Sequence, residues 1–200
     1  MTAMTTHPDR ELIAVERGAP PGDLAVWFFI CAELLAFGIF FLGFAMARRF
    51  NREMFDAGQA TLDTTAGLLN TLLLITSSLL VAKAVQALRQ GASRVAVRRL
   101  LGGFALGAAF LLVKGYEYSV QFAAGMSFDD TTFSMFYIGL TGFHAMHVVL
   151  GMLVLVIVAW QTAVGYYTPS ECNGAESGAA YWHMVDLVWL ILFPLVYVIH

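Results

Sequence analysis

The 24 residues LAVWFFICAELLAFGIFFLGFAMA, at positions 24–47, decide the fold class, because Glu33 is the only charged side chain in this apolar run. At ~1.5 Å per residue, a helix of this length crosses the ~30 Å hydrocarbon core of a bilayer. The stretch therefore predicts a transmembrane helix.

Four further apolar runs follow, at 68–88, 100–118, 133–162 and 179–200, with lengths of 21, 19, 30 and 22 residues. Each is long enough to span a membrane, and the connections between them are short. We therefore predict an all-α integral membrane bundle of five transmembrane helices over residues 24–200. Residues 1–23 form a polar N-terminal tail. The first run comes late and is long, so we expect it to be retained rather than cleaved as a signal.

The composition excludes several function classes. Hydrophobic residues make up 59% of the chain and charged residues 12%, which is not the balance of a soluble enzyme. The 11 Lys and Arg are scattered and face 14 Asp and Glu, so no nucleic-acid partner is expected. The two cysteines, Cys31 and Cys172, form neither a disulfide framework nor a CxxC metal motif.

The loop charges predict the orientation of the helices. Six basic residues lie on the side of the N-terminal tail: Arg10, Arg17, Arg89, Arg94, Arg98 and Arg99. Three lie on the opposite side: Arg48, Arg49 and Arg52. Because cytoplasmic loops carry the excess of Lys and Arg, we predict a cytoplasmic N-terminus and an external C-terminus.

Ionisable side chains inside the spans need a role, because each costs ~2.5–3.5 kcal/mol at mid-bilayer. Apart from Lys83 and His200, which lie toward span ends, the spans hold seven: Glu33, Lys114, Glu117, His144, His147, His183 and Asp186. The last six form three i, i+3 pairs, each on one helical face. Three hypotheses for the role of these groups are open: they could bind a metal or haem, hydrogen-bond helices together, or conduct protons or ions.

For some residues of the spans the sequence predicts a particular role. Hydrocarbon penalises the charged form of Glu33, so we expect a neutral carboxyl that donates to a neighbouring helix or exchanges protons. Lys114 and Glu117 are expected to form an ion pair near the interface. Gly102, Gly103 and Gly107 are expected to pack against another helix. Three aromatic residues are expected at the membrane interface: Tyr116, Tyr181 and Trp182.

Four motifs resemble subunit III of haem-copper oxidases. Residues 141–151, TGFHAMHVVLG, resemble that family's TGFHxxHVxxG signature, and residues 181–189, YWHMVDLVW, resemble its YWHxVDxVW segment. The Glu117-Tyr118 dipeptide is similar to the family's EY pair, and Glu33 falls where the family keeps a buried glutamate. The chain resembles the five-helix form that lacks the first two helices of seven-helix members. Residues 70–78 and 114–118 look most like members associated with nitric oxide reductases.

The resemblance implies an accessory role. Subunit III of this family carries no haem, copper or catalytic residue, so we expect no catalytic residue, no metal ligand and no cofactor in this chain. The residues expected in lipid or subunit contacts are Glu117, His144, His147, Trp182, His183 and Asp186. The implied partners are membrane phospholipids and the haem-bearing catalytic subunit I of a terminal oxidase or nitric oxide reductase. The chain would lie in the cell membrane as a multi-pass protein, stabilise that subunit and aid proton uptake or gas access.

Two other functions remain as alternatives. An independent small-molecule transporter or channel is disfavoured because no inverted repeat or Gly/Pro-broken helix pair is evident. A haem- or metal-binding membrane enzyme would use the three histidines with the nearby carboxylates.

Overall fold

The computed structural model describes residues 22–199, and five of its helices are long and apolar enough to span a membrane. They are α1 (Leu24–Phe50), α3 (Thr64–Arg89), α4 (Ser93–Ala123), α5 (Thr132–Ala163) and α6 (Asn173–Phe193), which continues into a π-helical turn at Pro194–Val198. A short helix, α2 (Arg52–Gln59), follows α1. No strand occurs within the described range, and the predicted all-α five-helix bundle is confirmed.

Each spanning helix extends beyond its apolar run at one or both ends, and polar side chains cap several of the helix N-termini. Asp23 caps α1 by accepting from the Ala25 N–H at 2.9 Å, and Asp63 caps α3 by accepting from the Thr65 N–H at 2.8 Å. Thr131 and Ser134 form a reciprocal capping box at the start of α5. The polar tail lies outside the described residues except for Gly22 and Asp23, and His200 also lies outside them.

Four helices close a ring, in which α3 packs on α4, α4 on α5, α5 on α6 and α6 back on α3. Helix α1 packs on the outside of the ring, against α5 and α6. Its buried residues are Ile30, Phe37 and Phe44, which recur every seven positions and form one stripe. The rest of the α1 surface is largely exposed and apolar, as expected for a lipid-facing helix.

Glycines on α4 and α5 allow close approach between helices. A Cβ on Gly107 would lie 2.8 Å from Trp182 Cη2, and one on Gly151 would lie 2.7 Å from Trp182 Cε3. A Cβ on Gly103 would lie 2.9 Å from Val81 Cγ2. The predicted glycine packing surface on α4 is therefore confirmed, and Trp182 of α6 fills the notch that Gly107 and Gly151 leave.

Candidate functional site

Glu33 of α1 and His147 of α5 form a polar contact between the outer helix and the ring. Glu33 Oε2 lies 2.9 Å from His147 Nε2, and the two side chains are 20% and 9% exposed. The His147 ring also packs edge-on against Phe37, at 5.2 Å between ring centroids. Sequence reasoning placed both residues in spans but did not pair them, because they are 114 positions apart.

The second ring nitrogen of His147 limits the Glu33–His147 pair to two protonation forms. Nδ1 lies 2.8 Å from the Phe143 carbonyl oxygen. A carbonyl oxygen only accepts, so Nδ1 carries a hydrogen and donates it. The contact between Nε2 and Glu33 then holds one proton, either as a carboxylic acid donating to a neutral ring or as an imidazolium donating to a carboxylate. Both forms leave the pair without net charge.

A second cluster lies inside the ring and consists of Lys114 and Glu117 of α4, Tyr137 of α5 and Tyr197 of the π turn; we call it the Lys114 cluster. Lys114 Nζ lies 3.3 Å from Glu117 Oε1, and the two side chains are 2% and 4% exposed. The predicted i, i+3 ion pair is thus confirmed, but it is enclosed by the bundle rather than exposed at an interface.

The two tyrosines complete the Lys114 cluster. Their hydroxyls donate to Glu117 Oε1, at 2.7 Å from Tyr137 and 2.6 Å from Tyr197. They also accept from Lys114 Nζ, at 3.1 Å and 2.5 Å respectively. Two hydroxyl groups and one ammonium group therefore surround Glu117 Oε1, and the Lys114 cluster carries no net charge. This arrangement ties α4, α5 and the C-terminal turn together.

Sequence reasoning missed both tyrosines of the Lys114 cluster. Tyr137, Thr141 and His144 lie at i, i+4 and i+7 in the apolar run of α5, so their spacing could have indicated a polar stripe. Tyr197 could not have been placed, because the π turn shifts the register of the side chains after Pro194.

The three histidines do not share one site. His144 is fully buried and its Nε2 donates to the Val185 carbonyl of α6 at 3.1 Å, whereas His147 faces Glu33 on α1. His183 Nδ1 lies 2.5 Å from Ser78 Oγ of α3. Among residues 22–199, no group of three or more His, Cys, Asp or Glu side chains is arranged to hold a metal ion.

Burial corrects the prediction that Tyr181 and Trp182 are interfacial aromatics. Trp182 is 1% exposed and Tyr181 is 5% exposed, so both belong to the core. The prediction was wrong because α6 closes the ring and buries its aromatic face on its neighbours. Tyr116, in contrast, is 72% exposed.

Other predicted site residues also lie mainly inside the bundle. Glu117 is 5% exposed and Asp186 is 8% exposed, and one buried oxygen of each has no hydrogen-bond partner in the described part of the chain. Their observed surroundings are other helices of this chain.

Comparisons with known proteins point to one family. The sequence profile of the family described as cytochrome c oxidase subunit III matches residues 5–200. Cytochrome c oxidase subunit 3 of Thermostichus vulcanus is 29% identical over 199 residues, which cover 98% of this chain and 97% of the relative. The subunit 3 of Emericella nidulans is 37% identical over 131 residues, covering 65% of this chain and 47% of the relative.

A third relative joins two subunits in one polypeptide. The heme-copper oxidase subunit I+III of Aeropyrum pernix is 29% identical over 181 residues, which cover 88% of this chain and 22% of that protein. The chain thus spans nearly all of the Thermostichus relative, about half of the Emericella relative and a smaller part of the fused one.

Proposed function

Because the chain belongs to the cytochrome c oxidase subunit III family, we propose that it is a non-catalytic accessory subunit of a haem-copper respiratory complex. The family match over residues 5–200 is the observation that carries the proposal. It also confirms the resemblance drawn from the four motifs and argues against an independent transporter or channel. With five apolar helices, the chain is a multi-pass membrane protein, and its bacterial relatives point to the cell membrane.

The proposed partner is the haem-bearing subunit I. In the Aeropyrum relative, the name describes subunits I and III as parts of one protein, and the region similar to this chain is 22% of its length. A covalent fusion keeps two parts at high effective concentration, which suits parts that act side by side. We propose that the separate chain docks on a catalytic subunit in the same membrane and stabilises it.

The polar groups of the spans fit a supporting role. The Lys114 cluster and the Glu33–His147 pair are neutral as units, and their hydrogen bonds join helices of this chain. We assign His144, Trp182, His183 and Asp186 to packing between helices. In this proposal the haem and copper chemistry belongs to the partner, and this chain supplies no cofactor ligand and no catalytic residue.

Three finer points also belong to the proposal. The proposed partner is a terminal oxidase or a nitric oxide reductase, the second because residues 70–78 and 114–118 resemble nitric-oxide-reductase-associated members. Membrane phospholipids are the second class of partner, because α1 presents a long apolar face outside the ring. Glu33 has two candidate roles, to join α1 to α5 through His147 or to exchange protons, and it is the group that would do so if the chain aids proton uptake, since it is partly exposed and contacts His147 at 2.9 Å.

Purification from native membranes tests the proposal. The chain is tagged, isolated in mild detergent and examined by absorbance spectroscopy and subunit analysis. We expect a haem-bearing large subunit to co-purify and the haem to leave with it when the complex is dissociated by stronger detergent, so that the isolated chain is colourless. A stoichiometric Soret band that stays with the isolated chain and is lost in His147→Ala or His183→Ala would overturn it. Reduction of oxygen or nitric oxide by the purified complex then identifies the acceptor.

A further inference from the structure

A recess at the junction of α1 and α2 combines three guanidinium groups with an apolar wall. It has a volume of about 390 Å³ and is lined by Ala45, Arg48, Arg49, Arg52, Leu195 and Ile199. We call it the arginine recess. None of its residues takes part in the Glu33–His147 pair or the Lys114 cluster.

The charges of the arginine recess are only partly balanced. Arg48 donates to Asp56 Oδ1 at 3.2 Å, and Arg52 Nε lies 3.7 Å from Asp56 Oδ2. Two of the three guanidinium groups thus share one carboxylate. Arg49 has no ion-pair partner among residues 22–199, and neither does Glu53, the other acidic residue of α2. The recess therefore keeps an excess of positive charge.

Stabilisation of the C-terminal end of α1 by basic residues does not account for all residues of the arginine recess. Arg48 and Arg49 lie in the last turn of α1, where cations interact favourably with the C-terminal carbonyl groups. That effect explains neither Arg52, which belongs to the next helix, nor the position of Leu195 and Ile199 from the other end of the chain. These residues build a concave site rather than a charged helix end.

We propose that the arginine recess binds an anionic phospholipid. Guanidinium groups match the geometry of phosphate oxygens and bind them with charge-assisted hydrogen bonds. The apolar lining, with the exposed Ile199 and Ala45, lies where an acyl chain would continue from such a headgroup along α1. Basic pockets beside transmembrane helices are a general means of holding anionic lipid headgroups. Free phosphate would leave the apolar wall without a contact, so the lipid is the occupant that both parts of the site fit.

The test compares variants of the chain that each lack one positively charged side chain. Each variant is purified in detergent together with the subunits that stay bound to it. Arg49→Gln removes the unpaired guanidinium of the recess, and Lys83→Gln removes one exposed cation outside it. Native mass spectrometry measures the binding of added phosphatidylglycerol and of phosphatidylcholine, with inorganic phosphate as competitor. We expect phosphatidylglycerol to bind the parent and Lys83→Gln equally and to bind Arg49→Gln about tenfold more weakly. Adding Arg52→Gln should weaken it further.

Several results would overturn the proposal. Unchanged phosphatidylglycerol binding in the Arg49→Gln, Arg52→Gln double variant would mean that the recess does not hold the lipid. Equal binding of phosphatidylcholine would remove the role of charge, and complete displacement by millimolar phosphate would mean that the recess binds an anion without an acyl chain. If the double variant loses another subunit while lipid binding is unchanged, the recess is a contact for an acidic segment of that subunit.

Discussion

At Glu33 and His147, a single proton makes the difference between a neutral hydrogen bond and an ion pair, and the pair is uncharged in either form. His147 Nδ1 is committed to the Phe143 carbonyl at 2.8 Å, so only Nε2 is free to exchange a proton with the carboxyl group. Because the charge state of the whole pair is the same in both forms, the contact can persist in a low-dielectric setting.

Glu33→Gln should leave the fold and the assembly intact, because a glutamine N–H can donate to His147 Nε2 in place of the carboxylic acid. Glu33→Leu should lower the free energy of unfolding by about 1–3 kcal/mol, since it leaves that nitrogen unpaired. The stability of both variants is measured by unfolding in mixed micelles of detergent and dodecyl sulfate, followed by tryptophan fluorescence. Equal stability of the two variants would contradict the hydrogen bond.

Activity of the complex separates the two roles of Glu33. If Glu33 only joins helices, Glu33→Gln should retain the turnover of the partner, which is the outcome that we expect. If turnover falls while the subunits stay assembled, Glu33 exchanges protons. Loss of the complex in Glu33→Gln would contradict both roles.

Lys114→Met should destabilise the chain by about 3–5 kcal/mol, because it leaves the Glu117 charge buried without its counterion. Adding Glu117→Gln removes that charge and keeps an oxygen for the tyrosine hydroxyls, so the double variant should recover a large part of the loss. The same unfolding assay in micelles measures the stability of the parent, the single variant and the double variant. A double variant as unstable as Lys114→Met alone would show that the charge pair is not the source of the effect.

At the scale of elements, apolar length was enough to predict the five spanning helices, whereas specific pairs of contacting side chains were predictable only between residues of the same helix. The i, i+3 spacing of Lys114 and Glu117 predicted their ion pair. Helix α2 was not predicted, because it is short, and only Phe55 and Gln59 of its residues are buried. The partner of Glu33 depends on how α1 and α5 are rotated against each other, and no local pattern encodes that.

The glycine notch around Trp182 gives an element-scale prediction. Gly151→Ala places a Cβ 2.7 Å from the Trp182 ring, so α5 and α6 must separate, at a cost of about 1–3 kcal/mol. Gly139→Ala is the matched control on the same helix, because no atom lies within 4 Å of its added Cβ. Thermal unfolding in detergent should show a melting temperature several degrees lower for Gly151→Ala only. Because alanine favours the helix more than glycine does, Gly139→Ala should be neutral or slightly stabilising, and a similar loss in both variants would mean that the contact with Trp182 is not the cause.

For the whole molecule, the orientation in the membrane is a prediction from the basic residues of the loops. Reporter fusions before residue 1 and after residue 200 test it, because the two ends should lie on opposite sides of a five-helix bundle. We expect a cytoplasmic reporter to be active at the N-terminus and a periplasmic reporter at the C-terminus. An active periplasmic reporter at the N-terminus would reverse the orientation and place the arginine recess in the cytoplasmic leaflet.

The accessory role is tested most directly by deleting the gene and measuring oxygen and nitric oxide consumption by membranes, normalised to the haem of the catalytic subunit. Because the redox centres of the proposed complex lie in the partner, we predict a reduced turnover per haem that the intact gene restores. Complete loss of turnover at unchanged haem content would contradict the account, since it would mean that this chain supplies a group essential to the reaction.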